Sequence, residues 1–187
     1  MESRAELSLL KRLIQSALPL LLFSNLLQAQ VYLTRDEALK LSFPQAASVG
    51  RKTVFLTDRQ VEAIQAKAKA KVESRVVTYY VGKVGGKVDG YAFFETHVVR
   101  TMPATFMTII DPDSSVRSVE ILAFYEPEDY LPPKRWLELF KAKRLENDLF
   151  LKRGVQNIAG ATLSAHAIAE GVRRMLATFE IAVPKEE

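Results

Sequence analysis

The sequence contains no cysteine, which excludes a disulfide framework, a thiolate metal site, c-type haem attachment, lipoprotein acylation and thiol catalysis together. Eight glycines and eight prolines in 187 residues are too few for a collagen-like chain, and no internal repeat or low-complexity segment is present. Charge of one sign is also scarce. A formal net charge of +4, spread over the whole length, is too dilute for a nucleic-acid footprint, so no nucleic-acid partner is expected. The sequence shows no acid–base pair, nucleophile constellation or metal-ligand cluster that would mark a substrate reaction of its own. What is present is 48% apolar residues, enough for one globular domain with a sizeable core.

The first 29 residues read as an address. Arg4, Lys11 and Arg12 precede an apolar run from Leu13 to Leu27, broken by Gln15, Ser16, Pro19, Ser24 and Asn25. A bilayer core takes about 20 apolar residues, so the run is a signal peptide or a marginal anchor, with a short core helix as the plain alternative. Either leading reading places the remainder in the periplasm or on the outer face of the cytoplasmic membrane.

Residues 30–74 read as a helical N-terminal segment. Thr34 with Glu37, and Thr57 with Gln60, have the spacing of capping boxes that open two helices. The second has an apolar face of Val61, Ile64, Ala68 and Val72, with Lys67, Lys69 and Lys71 facing outward. From Val76 the pattern changes to β-branched and aromatic residues. Gly85-Gly86 and Asp111-Pro112-Asp113-Ser114-Ser115 supply the turns of two hairpins, predicting four antiparallel strands over Val76–Phe124. Pro132-Pro133 then precedes a helix over Lys134 to Lys143. A final helix from about Leu163 to Phe179 carries Ile168, Val172, Leu176 and Phe179 on one face and Glu170, Arg173 and Arg174 on the other. Gly171 inside it costs about 1 kcal/mol relative to alanine, which implies close packing, most simply against the sheet. The expected class is α+β, an antiparallel sheet flanked by helices and preceded by the N-terminal signal or anchor helix.

Chemistry concentrates at the entrance to the last helix, Gln156-Asn157-Ile158-Ala159-Gly160-Ala161-Thr162-Leu163-Ser164. The free N–H groups of a helix's first turn favour an anion, and Gly160 and Ala161 leave room for a bulky group to approach. An ordinary tight entry with Thr162 as the helix cap explains the same residues equally simply.

From this stretch the chain resembles the FMN-binding domain family, whose members serve the sodium-pumping NADH:quinone reductase and the Rnf electron-transport complex. The resemblance covers roughly Val76 to Phe179. The family signature, Asp-x-x-Ser/Thr-Gly-Ala-Thr followed by x-Ser/Thr, is matched by Gly160, Ala161, Thr162 and Ser164, while Gln156 stands in place of Asp and Ala159 in place of Ser or Thr. Lys87 to Tyr91 resembles the family's early strand, Ile109 to Asp111 with Val116 to Leu122 its central hairpin, Tyr125-Glu126-Pro127 its Glu-containing loop, and Trp136 to Lys143 the helix before its flavin site.

The resemblance implies a domain over 75–187 that binds FMN, attached through a phosphoester to Thr162 by a flavin transferase. It implies an electron carrier among redox partner subunits at the membrane. The alternatives are a module feeding a small-molecule reductase and a flavin-free binding or assembly module, the latter favoured by Gln156 and Ala159. Gly160, Ala161, Leu163 and Ser164 join Thr162 as cofactor-binding candidates. Glu126, Tyr130, Thr101 and His166 are further candidates, each with a plain structural alternative: a polar loop residue, a core aromatic, a turn and a solvent-facing side chain. Trp136 shares the reading given to Tyr130.

Overall fold

The computed structural model describes residues 30–146 and 149–185; the signal or anchor segment lies outside them. Strands β1 (Gln30–Val31), β2 (Ser48–Phe55), β3 (Val76–Val84), β4 (Lys87–Val98), β5 (Pro103–Ile110) and β6 (Val116–Phe124) form one sheet in the order β1-β6-β5-β4-β3-β2. Every neighbouring pair is antiparallel. Helices α1 (Arg35–Ser42), α2 (Asp58–Ala68), α3 (Lys134–Leu137) and α4 (Thr162–Ala182) complete an α+β fold. Among the described residues no helix is long and apolar enough to cross a membrane.

The central strands and both capping boxes lie where sequence chemistry puts them. Thr34 accepts from the Glu37 N–H while the Glu37 carboxylate accepts from the Thr34 N–H, and Thr57 and Gln60 repeat the exchange. Gly85 and Gly86 both have positive φ in the β3–β4 turn, as a two-residue hairpin requires.

The sheet has six strands where four are expected, because residues 30–74 are not wholly helical: β1 and β2 are its two edges. Ser-Val-Gly-Arg-Lys-Thr-Val-Phe of β2 hides its strand character, since most of its side chains stay exposed and no clean apolar alternation results. The expected helix over Lys134 to Lys143 is also shorter: α3 gives way to a 3₁₀ turn at Glu138–Phe140.

Two apolar layers flank the sheet. Ala38, Leu39 and Phe43 around α1 cover Ala92, Met107 and Ile109 on one face. On the other, α4 lays Ile168, Val172 and Phe179 over Tyr91, Phe93 and Phe106, with the Tyr91 and Phe179 rings 4.7 Å apart. Gly171 sits at the closest approach, where an added Cβ would enter the Phe106 ring and the Glu95 carboxylate.

Arg173 and Arg174 lie off the apolar stripe as expected, yet both are buried, at 5% and 8% exposed. With α2 on its flank, α4 is enclosed on more than its apolar stripe. Helix α2 ends at Ala68 with Lys69 in the left-handed region, leaving carbonyls without helical partners. Arg173 Nε donates to Ala68 O at 2.8 Å, and Arg174 Nη1 donates to Lys71 O at 2.9 Å. Arg174 is neutralised by Glu95 of β4 and by Glu170. Both arginines are therefore joints between α4 and α2 rather than solvated charges. Of the expected outward lysines, Lys67 pairs with Glu180 of α4.

Gly171→Ala should destabilise the protein by about 1–3 kcal/mol, the usual range for overpacking a filled contact, where an open helix site would gain from alanine. Urea unfolding with an unchanged denaturant slope checks this; a stabilised variant would mean that α4 does not touch the sheet at Gly171.

Candidate functional site

The chain enters α4 through Gly160, whose φ of 83° lies in the left-handed region, and no atom stands within 4 Å of where its Cβ would be. The glycine thus serves the backbone turn and leaves open space above it. Ala161 occupies the N-cap position and supplies no side-chain cap. Thr162 is not the cap, the plain alternative for this residue. Its Oγ1 donates back to Ile158 O at 3.3 Å and accepts from Asn157 Nδ2 at 3.2 Å. The hydroxyl stays at the surface, one residue inside a helix end whose first amides no side chain covers.

A cavity of about 220 Å³ opens beside this turn, lined by Val99, Arg100, Glu126, Tyr130 and the run from Gly160 to Ser164. The structure therefore gathers Gly160, Ala161, Thr162, Leu163, Ser164, Glu126 and Tyr130, which lie as much as 38 positions apart in the chain, around one space. Ser164 is 1% exposed and its Oγ has no hydrogen-bond partner, a condition shared among the described residues only by Thr108 Oγ1. A buried hydroxyl without a partner is costly, and Ser164 carries one in the first turn of α4, at the wall of the cavity.

The opposite wall is shaped by Glu126. Its Oε1 accepts from the N–H groups of Arg100, Thr101 and Met102 at 3.1, 2.6 and 2.8 Å. Burial raises a carboxyl's pKa, but these amides and the Thr101 hydroxyl favour the charged form and prevail, holding Glu126 below the ordinary carboxylate range. One carboxylate thus folds the β4–β5 turn around itself and sets Val99 and Arg100 against the cavity. Thr101 acts here as a partner of Glu126 and is not among the lining residues. The guanidinium of Arg100 reaches Tyr130, donating to its Oη at 3.1 Å with Cζ 5.6 Å from the ring centre.

His166 stands apart: it is exposed, lies outside the cavity lining, and approaches Glu170 Oε2 at 3.6 Å. Trp136 belongs to the core, edge-on to Phe140 and donating from Nε1 to Gln156 O at 2.6 Å. That bond moors the segment leading to α4 by its backbone and leaves the Gln156 side chain exposed. Val99 and Arg100 are the cavity residues sequence reasoning missed. Their only signal is that they precede Thr101, since the carboxylate that positions them lies 26 residues further on. A second cavity of about 230 Å³, between β3, β4 and α4, contains the Glu95–Arg174 ion pair and none of the sequence-derived candidates.

The fold and this site describe an α+β domain with an uncapped helix entrance beside a cavity. No protein-family model matches the chain, and no curated protein matches it in sequence. Among solved structures it is similar in fold to NqrC of Shewanella oneidensis, with a TM-score of 0.52 and 15% identity over 79% of this chain and 87% of that one.

Glu126→Gln should lower stability at about pH 7, where the native carboxylate is charged and holds the turn. Because the folded pKa is depressed, this contribution is present above the unfolded value and is lost as pH falls through the folded one. The gap between wild type and variant should narrow as pH falls below the ordinary carboxylate range, and urea midpoints at neutral and acid pH check it. A gap that stays constant would show that the charge on Glu126 does not hold the turn.

Proposed function

We propose that the chain is an FMN-binding electron-transfer module on the outer side of the cytoplasmic membrane, with FMN carried as a phosphoester on Thr162. The observation that carries this reading is the partnerless buried hydroxyl of Ser164 in a cavity at the uncapped entrance of α4. Three further features support it: the Gly160-Ala161-Thr162-x-Ser164 match to the FMN-binding domain family, the fold shared with NqrC, and the apolar N-terminal run.

The residues present fit such a group. Ser164 Oγ and the first-turn amides of α4 offer hydrogen bonds to phosphate oxygens, and Arg100 adds positive charge at the opposite wall. Ester formation joins Thr162 Oγ1 to the phosphorus of an activated flavin nucleotide, with loss of the hydroxyl proton and of the donor's leaving group, and a flavin transferase catalyses the exchange. A cavity of about 220 Å³ is smaller than the roughly 300–1,000 Å³ of pockets that enclose drug-sized ligands, so it grips one end of the cofactor and leaves the other accessible. Bound FMN supplies one- and two-electron redox chemistry. The protein anchors it at Thr162, holds the phosphate end with helix-end amides and presents a surface to partner subunits.

Co-expression with a flavin transferase should add the mass of FMN less water to the wild type and nothing to Thr162→Ala. Because Thr162 caps nothing, that variant should keep its urea midpoint. Ser164→Ala should still be modified at Thr162 but at a lower initial rate, because its hydroxyl no longer helps to hold the phosphate. Full modification of Thr162→Ala would overturn the site. A colourless, unmodified wild type beside a working control substrate would favour the flavin-free binding module of the same fold.

Gln156→Asp restores the family's carboxylate on an exposed side chain whose backbone contact to Trp136 is unaffected. If the transferase reads that carboxylate, the initial rate of modification should rise with no shift in the flavin spectrum. An unchanged rate would show that the exposed side chain at this position is not read.

A further inference from the structure

Large apolar side chains left open to solvent collect at one end of the sheet. Phe55 is 72% exposed, Val98 59%, and Val31 and Val76 are exposed beside them. The register explains their company. Val31 pairs with Ala123, Ala123 with Thr105, Thr105 with Thr96, and Val76 with Phe55. Extending the Tyr79–Phe93 pairing by three residues brings Val76 level with Thr96 and closes the row across all six strands. Paired residues share a face, and Thr96 lies an even number of positions from Ala92, so the row is on the α1 side. Helix α1 covers that face over Ala92, Met107 and Ile109; along the row Ala123 is buried and Thr105 and Thr96 share a hydrogen bond at 2.8 Å, so its exposed apolar side chains are those of Val31, Val76 and Phe55. Five strand spacings of about 4.8 Å make the row about 24 Å long, and Val98 extends it outward.

The chain itself indicates what covers the row. Gln30 pairs with Phe124, and because β1 runs antiparallel to β6 it begins at this same end. Gln30 Nε2 donates to Glu128 Oε1 at 2.7 Å and holds the strand's start there. The apolar run ends at Leu27, three steps earlier, and three residues span at most about 10 Å.

We propose that the row from Val31 to Phe55, with Val98, lies in the lipid interface of the membrane in which the N-terminal segment is anchored. This rests on the anchor half of the proposed location and not on FMN. Apolar side chains at such an interface sink about 5–10 Å into the boundary between headgroups and acyl chains. The β4–β5 turn that walls the cavity follows directly on Val98, so the cavity lies at the membrane-facing end of the domain.

The absence of native cysteine lets Phe55→Cys, Val98→Cys and Val84→Cys each carry one environment-sensitive fluorophore, with Val84 exposed at the far end of β3 as the control. The full chain is reconstituted into phosphatidylcholine–phosphatidylglycerol vesicles and isolated by flotation. Emission at positions 55 and 98 should shift to the blue and lose intensity to nitroxide-headgroup lipid, with neither change at 84. Flotation with all three probes behaving alike would overturn the contact and leave the anchor standing. Protein that fails to float would overturn the anchor and the contact together. Probes at 55 and 98 that are shielded from aqueous iodide yet indifferent to the lipid nitroxide would also overturn the proposal, in favour of a cover made by a second copy or by the chain's own apolar segment.

Discussion

Helix α4 touches the sheet at Gly171, and the position of nearly everything else follows from that contact. A side chain there would collide with Phe106 and with the Glu95 carboxylate, so glycine alone lets the helix settle against β4 and β5. Once it has settled, Arg174 meets Glu95, Arg173 reaches the Ala68 carbonyl at the end of α2 and Arg174 the Lys71 carbonyl just beyond it. A 21-residue helix located at one point and clamped along its flank has little freedom at its ends, and its first turn is delivered to the β4–β5 corner. The cost of glycine in a helix is offset by apolar burial that a larger residue would prevent.

The site is assembled from two backbone devices that need each other. One is the uncapped entrance of α4, where a left-handed glycine and an alanine N-cap leave amides uncovered. The other is Glu126, whose carboxylate gathers three consecutive amides of the β4–β5 turn and keeps its charge because they outweigh the cost of burial. Their meeting brings Ser164 to the cavity wall with its buried hydroxyl left without a partner. Among the described residues only the hydroxyls of Ser164 and Thr108 are buried without a partner, and of the two Ser164 belongs to the lining of this cavity.

Both edges of the sheet come from residues that read as a helical prelude. In β2 the exposed positions carry Arg51, Lys52 and Thr53, so neither the period of two nor the apolar count of a strand is visible. The strand exists because β3 offers an unpaired edge with eight matching positions. Strand β1 is two residues long and no local pattern announces it; the β6 edge and the Gln30–Glu128 bond locate it. These late additions place exposed Val31 and Phe55 at the two edges of one row across the sheet, a feature of the register that does not exist in any single segment.

The sequence by itself determined the α+β class, the two central hairpins, both capping boxes and the special status of the Gly160–Ser164 stretch. Each of these is written in local chemistry, where one residue's conformational preference or one side chain's reach to its neighbours settles the matter. Tertiary structure alone decided that Arg173 and Arg174 are buried, that Trp136 is core while Tyr130 faces the cavity, that His166 stays outside it and that Arg100 enters it. In each case the deciding partner is distant: Ala68 lies 105 positions from Arg173, and Glu126 lies 26 from Arg100. A carbonyl left open by one helix or a carboxylate at the end of one strand acts on whatever the fold brings beside it, and that neighbour is absent from any local window of sequence.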